Sequence, residues 1–212
     1  RMAAFVAIPA AVGLVLLGGP IVRLLFQRGE FSAADAVLTA QALTGYAVGL
    51  PAFSATRIAA QTFYALGDTR TPVIVGFLSV AVNVVLALLL MWPMRHTGLA
   101  LASSLSSYVN VLGLCWLLRR RLDGPRGRDL WTSLARTLGA SALLALWCAW
   151  MSGLVPGVPG PAGHGLGWTV VALVGGVVVY GAGAAALGST ELRGLFGMLR
   201  RRRGTLPPAG GR

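Results

Sequence analysis

The sequence predicts an all-α, polytopic transmembrane helical bundle of about six membrane-spanning helices, and three observations carry that expectation. Hydrophobic residues fill 56% of the 212 positions and charged residues only 11%, with a mean hydropathy of +0.74. Soluble domains usually carry about 25% charged residues, so water is not the main solvent of this chain. The apolar residues are also gathered into runs that can cross a hydrocarbon core about 30 Å thick, which takes roughly 20 residues of helix. Short stretches rich in Gly, Pro or Arg separate these runs. In lipid each segment must satisfy its own backbone polar groups, and helices do so.

The first run, Met2 to Leu17, meets Gly18-Gly19-Pro20, where two flexible residues and a missing N–H predict a stop or kink. A short amphipathic piece, Ile21 to Phe26, follows. Ser32 and Asp35 stand at capping-box spacing and announce the second helix, which Gly67 closes. From Ser32 to Leu66 such a helix would be roughly 50 Å long at about 1.5 Å per residue. That exceeds the membrane, so it should project or bend, with Pro51 as the expected kink.

A third helix is expected from Pro72, a favourable first-turn proline, to Met91, and a fourth from Gly98 to Leu118, with Trp92-Pro93 between them. An arginine-rich loop precedes a fifth helix from Leu134 to Met151, and a sixth runs from Trp168 to Leu187. The intervening loop, Ser152 to Gly167, is rich in Gly and Pro and carries no arginine or carboxylate. The basic tail, residues 191–212, has the composition of a disordered segment.

The net charge of +12 comes from 18 basic residues, every one an arginine. They concentrate in loops and at helix ends, as expected when positive charge fixes orientation, so no nucleic acid partner is inferred. Arg119, Arg120, Arg121, Arg126 and Arg128 mark one cytoplasmic loop, and Arg193 with Arg200 to Arg203 mark the tail. Alternation then puts Arg1 and the Asp68 to Arg70 turn inside as well. The Arg23/Arg28 and Arg95-His96 loops fall outside. Both ends are therefore expected inside. Cys115 and Cys148 lie in apolar runs without metal-site or disulfide spacing. Arg1 opens directly onto an apolar run, which reads as a fragment starting partway through a longer chain.

No segment matches a nucleophile elbow, a phosphate-binding loop, a zinc-ligand pattern or a carboxylate pair on one helix face. No enzyme, cofactor or metal is therefore expected, and polar residues within the spans become the informative set. On the second helix Ser54, Arg57 and Gln61 share one face. A planar guanidinium there suits a phosphate-bearing lipid head group; the alternative is that Arg57 snorkels to the interface. Gly76, Ser79 and Asn83 form a stripe on the third helix, and Ser103, Ser106, Ser107 and Asn110 form another on the fourth. Such stripes let helices approach and bond, with cavity lining as the other reading. Gly45 and Gly49 add one G-x-x-x-G match. Trp92, Trp131, Trp150 and Trp168 stand at expected helix ends, as interface markers do.

The segment FYALGDTRTPV, Phe63 to Val73, resembles the cytoplasmic turn of the MurJ (MviN) family, lipid II flippases of the multidrug/oligosaccharidyl-lipid/polysaccharide exporter superfamily. IPAAVGLVLLGGPIVRLLFQRGEFSAADA, Ile8 to Ala36, and HTGLALASSLSSYVNVLGLCWLLRRRL, from His96, resemble the family's flanking helices. In the turn, Gly67 ends a helix, Asp68 and Thr69 turn the chain, and Pro72 opens the next helix. The resemblance implies the ninth to fourteenth helices of a fourteen-helix flippase in the bacterial cytoplasmic membrane. Residues 1–122 would then belong to the transporter core, and residues 123–190 would supply two extra helices flanking an apolar groove for a polyprenyl tail. The implied substrate is undecaprenyl-pyrophosphate-linked, with membrane lipids and cell-wall synthesis machinery as partners. The family's amino-terminal cavity residues have no counterpart here and are not carried over. A flippase for another polyprenyl-linked glycan and a non-transporting scaffold of the same fold remain open alternatives.

Overall fold

A computed structural model of the chain describes residues 2–26, 32–121, 127–153 and 166–189. The described residues form five helices: α1 (Met2–Phe26), α2 (Ala33–Ala65), α3 (Arg70–Arg121), α4 (Gly127–Met151) and α5 (Leu166–Ala186). All five are long and apolar enough to cross a membrane. At 52 residues α3 is two spans, because Arg95 leaves helical geometry at φ 47° and ψ −124° and folds residues 96–121 back along residues 70–94. The chain is thus a multi-pass membrane protein with six passes among its described residues. The expected separator Trp92-Pro93 lies one turn before the actual break, and both arms reach Arg95 as helix.

Helix α1 corrects the expected end at Gly18-Gly19-Pro20, since it continues unbroken to Phe26 and absorbs the Ile21–Phe26 piece. Packing overrides the local signal. Gly18 is buried against Leu43 of α2, and Leu17 and Val22 on either side are also buried. At the start of α2 the capping box is complete: the Ser32 hydroxyl accepts from the Asp35 N–H at 3.2 Å, and the Ser32 N–H donates to the Asp35 carboxylate at 3.1 Å. The helix then runs without interruption through Pro51. The start of α4 is a second correction, since helix begins at Gly127 rather than Leu134.

Helix α1 is the central element, packed on α2 on one side and on α4 and α5 on the other, while α2 lies along α3. Small residues set the α2–α3 distance. A Cβ on Gly45 would stand 2.8 Å from the Ala100 side chain, and one on Gly49 would collide with Ser104. Gly98 is as confined, because a Cβ there would strike the Leu90 carbonyl across the hairpin. The expectations for Arg1, Arg28, Arg126, the centre of the 152–167 loop and the tail at 191–212 fall outside the described residues.

Candidate functional site

The Gly67 turn forms as its residue types dictate. Gly67 adopts φ +75°, the Asp68 N–H returns to the Phe63 carbonyl at 3.0 Å, and α2 ends there. Asp68 then starts α3: its carboxylate accepts from the Arg70 and Thr71 N–H groups, each at 3.0 Å, and from the Thr71 hydroxyl at 2.6 Å. The third expected helix therefore opens at Arg70, with Thr69 just before it and the buried Pro72 in its first turn. Bonds from the Thr71 hydroxyl and backbone, and the nearby Arg121 guanidinium, hold the Asp68 carboxyl below the ordinary carboxylate range. Arg121 meets it at 2.6 Å.

Ser54, Arg57 and Gln61 do share a face of α2. Ser54 is half-buried, Arg57 and Gln61 are exposed, and neither Arg57 nor Gln61 has a hydrogen-bond or ion-pair partner among the described residues. The same strip carries exposed Tyr46, Phe53 and Tyr64. The strip on the other flank differs. There Val37 and Val48 are exposed, and Thr44 and Thr62 turn their hydroxyls back onto the Ala40 and Ile58 carbonyls at 2.9 and 3.0 Å. Hydroxyls hidden in their own helix are compatible with lipid contact. An open guanidinium and amide on the opposite strip are compatible with a water-filled space or with an interfacial position.

The Ser/Asn stripes divide by role. The Ser79 hydroxyl donates to the Ser106 carbonyl at 2.8 Å and joins the two arms of α3. Ser103, Ser106 and Ser107 instead bond within their own helix. The expected glue between α2 and α3 comes from two residues outside the stripe: Ser104 donates to the Gly45 carbonyl at 2.6 Å, and Tyr108 to the Val48 carbonyl at 2.9 Å. Asn83 is half-buried, and the Asn110 carbonyl oxygen is buried without a partner.

A cavity of about 400 Å³ lies between α1, α4 and α5, lined almost wholly by apolar atoms. Leu144 and Cys148 of α4 and Ala172 and Gly176 of α5 form one wall, and α1 supplies the other from Phe5 to Ile21. The part played by α1 is a missed feature, since sequence reading gave any groove to the last two helices alone. Two further features of those helices bear on the cavity. Helix α4 carries a polar stripe of its own, with Ser133, Thr137 and Ser141 buried. Of the glycines on the last helix, Gly175, Gly176 and Gly183 stand against Trp147, Leu144 and Leu143 of α4, Gly167 and Gly181 face open space, and Gly176 also lines the cavity. The Trp147 indole N–H donates to the Ala172 carbonyl at 3.1 Å and fixes the α4–α5 pair.

Residues 1–161 match the profile of the family described as lipid II flippase MurJ. A probable lipid II flippase MurJ of Rhizobium meliloti is 43% identical over 143 residues, covering 66% of this chain and 26% of that protein. One from Rickettsia prowazekii is 37% identical over 116 residues, covering 55% of this chain and 23% of its own length. The chain thus spans about a quarter of the curated relatives it matches. A solved structure, lipid II flippase MurJ in an inward closed conformation, superposes with a TM-score of 0.70 over 91% of this chain and 37% of that one, at 23% identity. That likeness establishes a shared fold.

Proposed function

The chain belongs to the MurJ family of lipid II flippases, and from that membership we propose that it forms part of a transporter for a polyprenyl-pyrophosphate-linked cell-wall precursor. The transporter would carry the precursor from the inner to the outer leaflet of the bacterial cytoplasmic membrane by alternating access. Head group and tail then have separate places. Arg57, with Ser54 and Gln61 beside it, meets the pyrophosphate on the open face of α2, where a guanidinium can form two parallel bonds to phosphate oxygens. The apolar space between α1, α4 and α5 takes part of the tail. A tail leaving the bilayer for this space gains packing rather than hydrophobic transfer, because lipid is already apolar. Shape therefore decides binding.

The observation that carries the reading is the family match over residues 1–161. Orientation follows from the loop arginines, with the Asp68 turn, the Arg119–Arg128 loop and the tail in the cytoplasm. Substituting residues 1–189 for the corresponding region of a complete flippase of the family tests it. The chimaera is expected to support growth in cells depleted of their own flippase. A chimaera that inserts and folds yet fails to sustain growth would favour a non-transporting scaffold instead.

A further inference from the structure

Two aromatic residues close one end of the α1–α4–α5 cavity. The Tyr180 hydroxyl donates to the Phe5 carbonyl at 2.7 Å, and the two ring centroids lie 5.2 Å apart. Behind them the bundle is solid. Phe5, Ala140 and Ala184 form a buried cluster against which Tyr180 packs. The next turns of α4 toward that end bury Thr137 and Ser133 as well. At the far end, the α1 lining finishes at Ile21.

The size and relief of the space narrow the choice of occupant. An apolar cavity of about 150 Å³ takes one six-carbon ring, so about 400 Å³ has room for roughly three five-carbon prenyl units. Small residues (Ala10, Gly13) interleave with bulky ones (Val6, Leu14, Leu17) along the α1 wall, and a Cβ on Gly13 would meet nothing within 4 Å. Notches about one helical turn, roughly 5 Å, apart result. Regularly spaced methyl branches fill such notches, whereas a straight acyl chain leaves them void and loses those contacts.

We propose that Tyr180, braced against Phe5, is the floor of a prenyl-chain slot and sets how far along the bundle a polyprenyl tail can reach. The proposal rests on the tail-binding reading above and adds a specificity-determining residue to it. The tail's terminal units end against the Tyr180 ring, and the remaining units stay in the bilayer. Ring bulk performs the task and the hydroxyl braces it.

The test uses the chain in lipid nanodiscs with farnesyl, geranylgeranyl and undecaprenyl phosphate, each carrying a diazirine at the terminal unit. A straight-chain alkyl phosphate with the same label is the control, and cross-linked residues are mapped by peptide mass spectrometry. In the unaltered chain, prenyl adducts should fall on slot residues as far as Phe5 and Tyr180 and stop there. In Tyr180→Ala they should advance to Ala140 and Ala184 with a several-fold rise, while Tyr180→Phe should retain the original pattern. Phe5→Ala, which removes the brace, should shift adducts in the same direction and serves if Tyr180→Ala does not fold. Slot adducts unchanged in a folded Tyr180→Ala or Phe5→Ala chain would overturn the floor alone. No slot adducts in the unaltered chain, or equal adducts from the straight chain, would overturn the tail-binding reading and the floor with it.

Discussion

The Asp68 carboxylate and the Arg121 guanidinium, at opposite ends of α3, meet at 2.6 Å. The contact brings the α2–α3 turn and the arginine-rich end of α3 to one side of the bundle, as the loop charges require. Asp68 also caps α3, and an Asn in its place keeps a capping oxygen but loses the ion pair and the charge on the capping bonds. Asp68→Asn is expected to lower the melting temperature of the detergent-solubilised chain by a few degrees. Its carboxyl is held below the ordinary range, so the stabilisation is present above the unfolded pKa of about 3.9 and disappears as pH falls through the lower folded value. The gap between the two proteins should stay constant from pH 8 to about pH 5 and close only below about pH 4. A gap that closes near neutrality would refute this assignment.

Helix contact at Gly49 leaves no space for a side chain, since a Cβ would collide with the Ser104 hydroxyl and stand 2.7 Å from the Phe53 ring. Gly49→Ala should force α2 from α3, lengthen the Ser104 to Gly45 bond and cost about 1 to 3 kcal/mol. Gly181→Ala, where a Cβ would meet nothing within 4 Å, should be neutral or mildly stabilising in a parallel denaturation series.

Arg95 holds φ 47° and ψ −124°, a conformation that glycine adopts at little cost. Arg95→Gly should therefore relieve strain and stabilise the hairpin by about 1 kcal/mol. An unchanged or lower unfolding midpoint would show that the side chain contributes more than its backbone costs.

Orientation can be read with single cysteines placed in a background lacking Cys115 and Cys148. Sites in the Arg119–Arg128 loop should resist an impermeant thiol reagent in intact cells, and sites in the Ser152–Gly167 loop should react, because loop arginines oppose translocation. The reverse pattern would invert the whole assignment.

Much of this fold was legible because its signals are local. Apolar runs of membrane length mark the passes, the Ser32–Asp35 spacing marks the start of α2, and Gly67-Asp68 marks the turn. Features that depend on distant neighbours were not legible. Nothing near Pro20 reveals that α2 would carry α1 past it, and nothing near Ser104 reveals the Gly45 carbonyl. Starting the fifth span at Leu134 left Ser133 outside the helix and hid its alignment with Thr137 and Ser141. The candidate site divides in the same way. The shared face of Ser54, Arg57 and Gln61 follows from helical spacing alone, whereas the cavity needs α1 brought against α4 and α5.

In the proposed transporter, the open face of α2 meets the phosphates of a lipid-linked substrate while the membrane-embedded walls hold its tail. The most direct measurement is the rate at which a complete flippase carrying residues 1–189 moves lipid II between leaflets of reconstituted vesicles, compared with its Arg57→Ala and Arg57→Lys forms. Losing one charge-assisted phosphate contact costs roughly 1.5 to 3 kcal/mol, or about 10- to 150-fold. A fall of that size is expected for Arg57→Ala, in rate or in substrate affinity, with partial recovery in Arg57→Lys. Rate and affinity both unchanged in a correctly inserted Arg57→Ala protein would contradict it and leave Arg57 as an interfacial anchor.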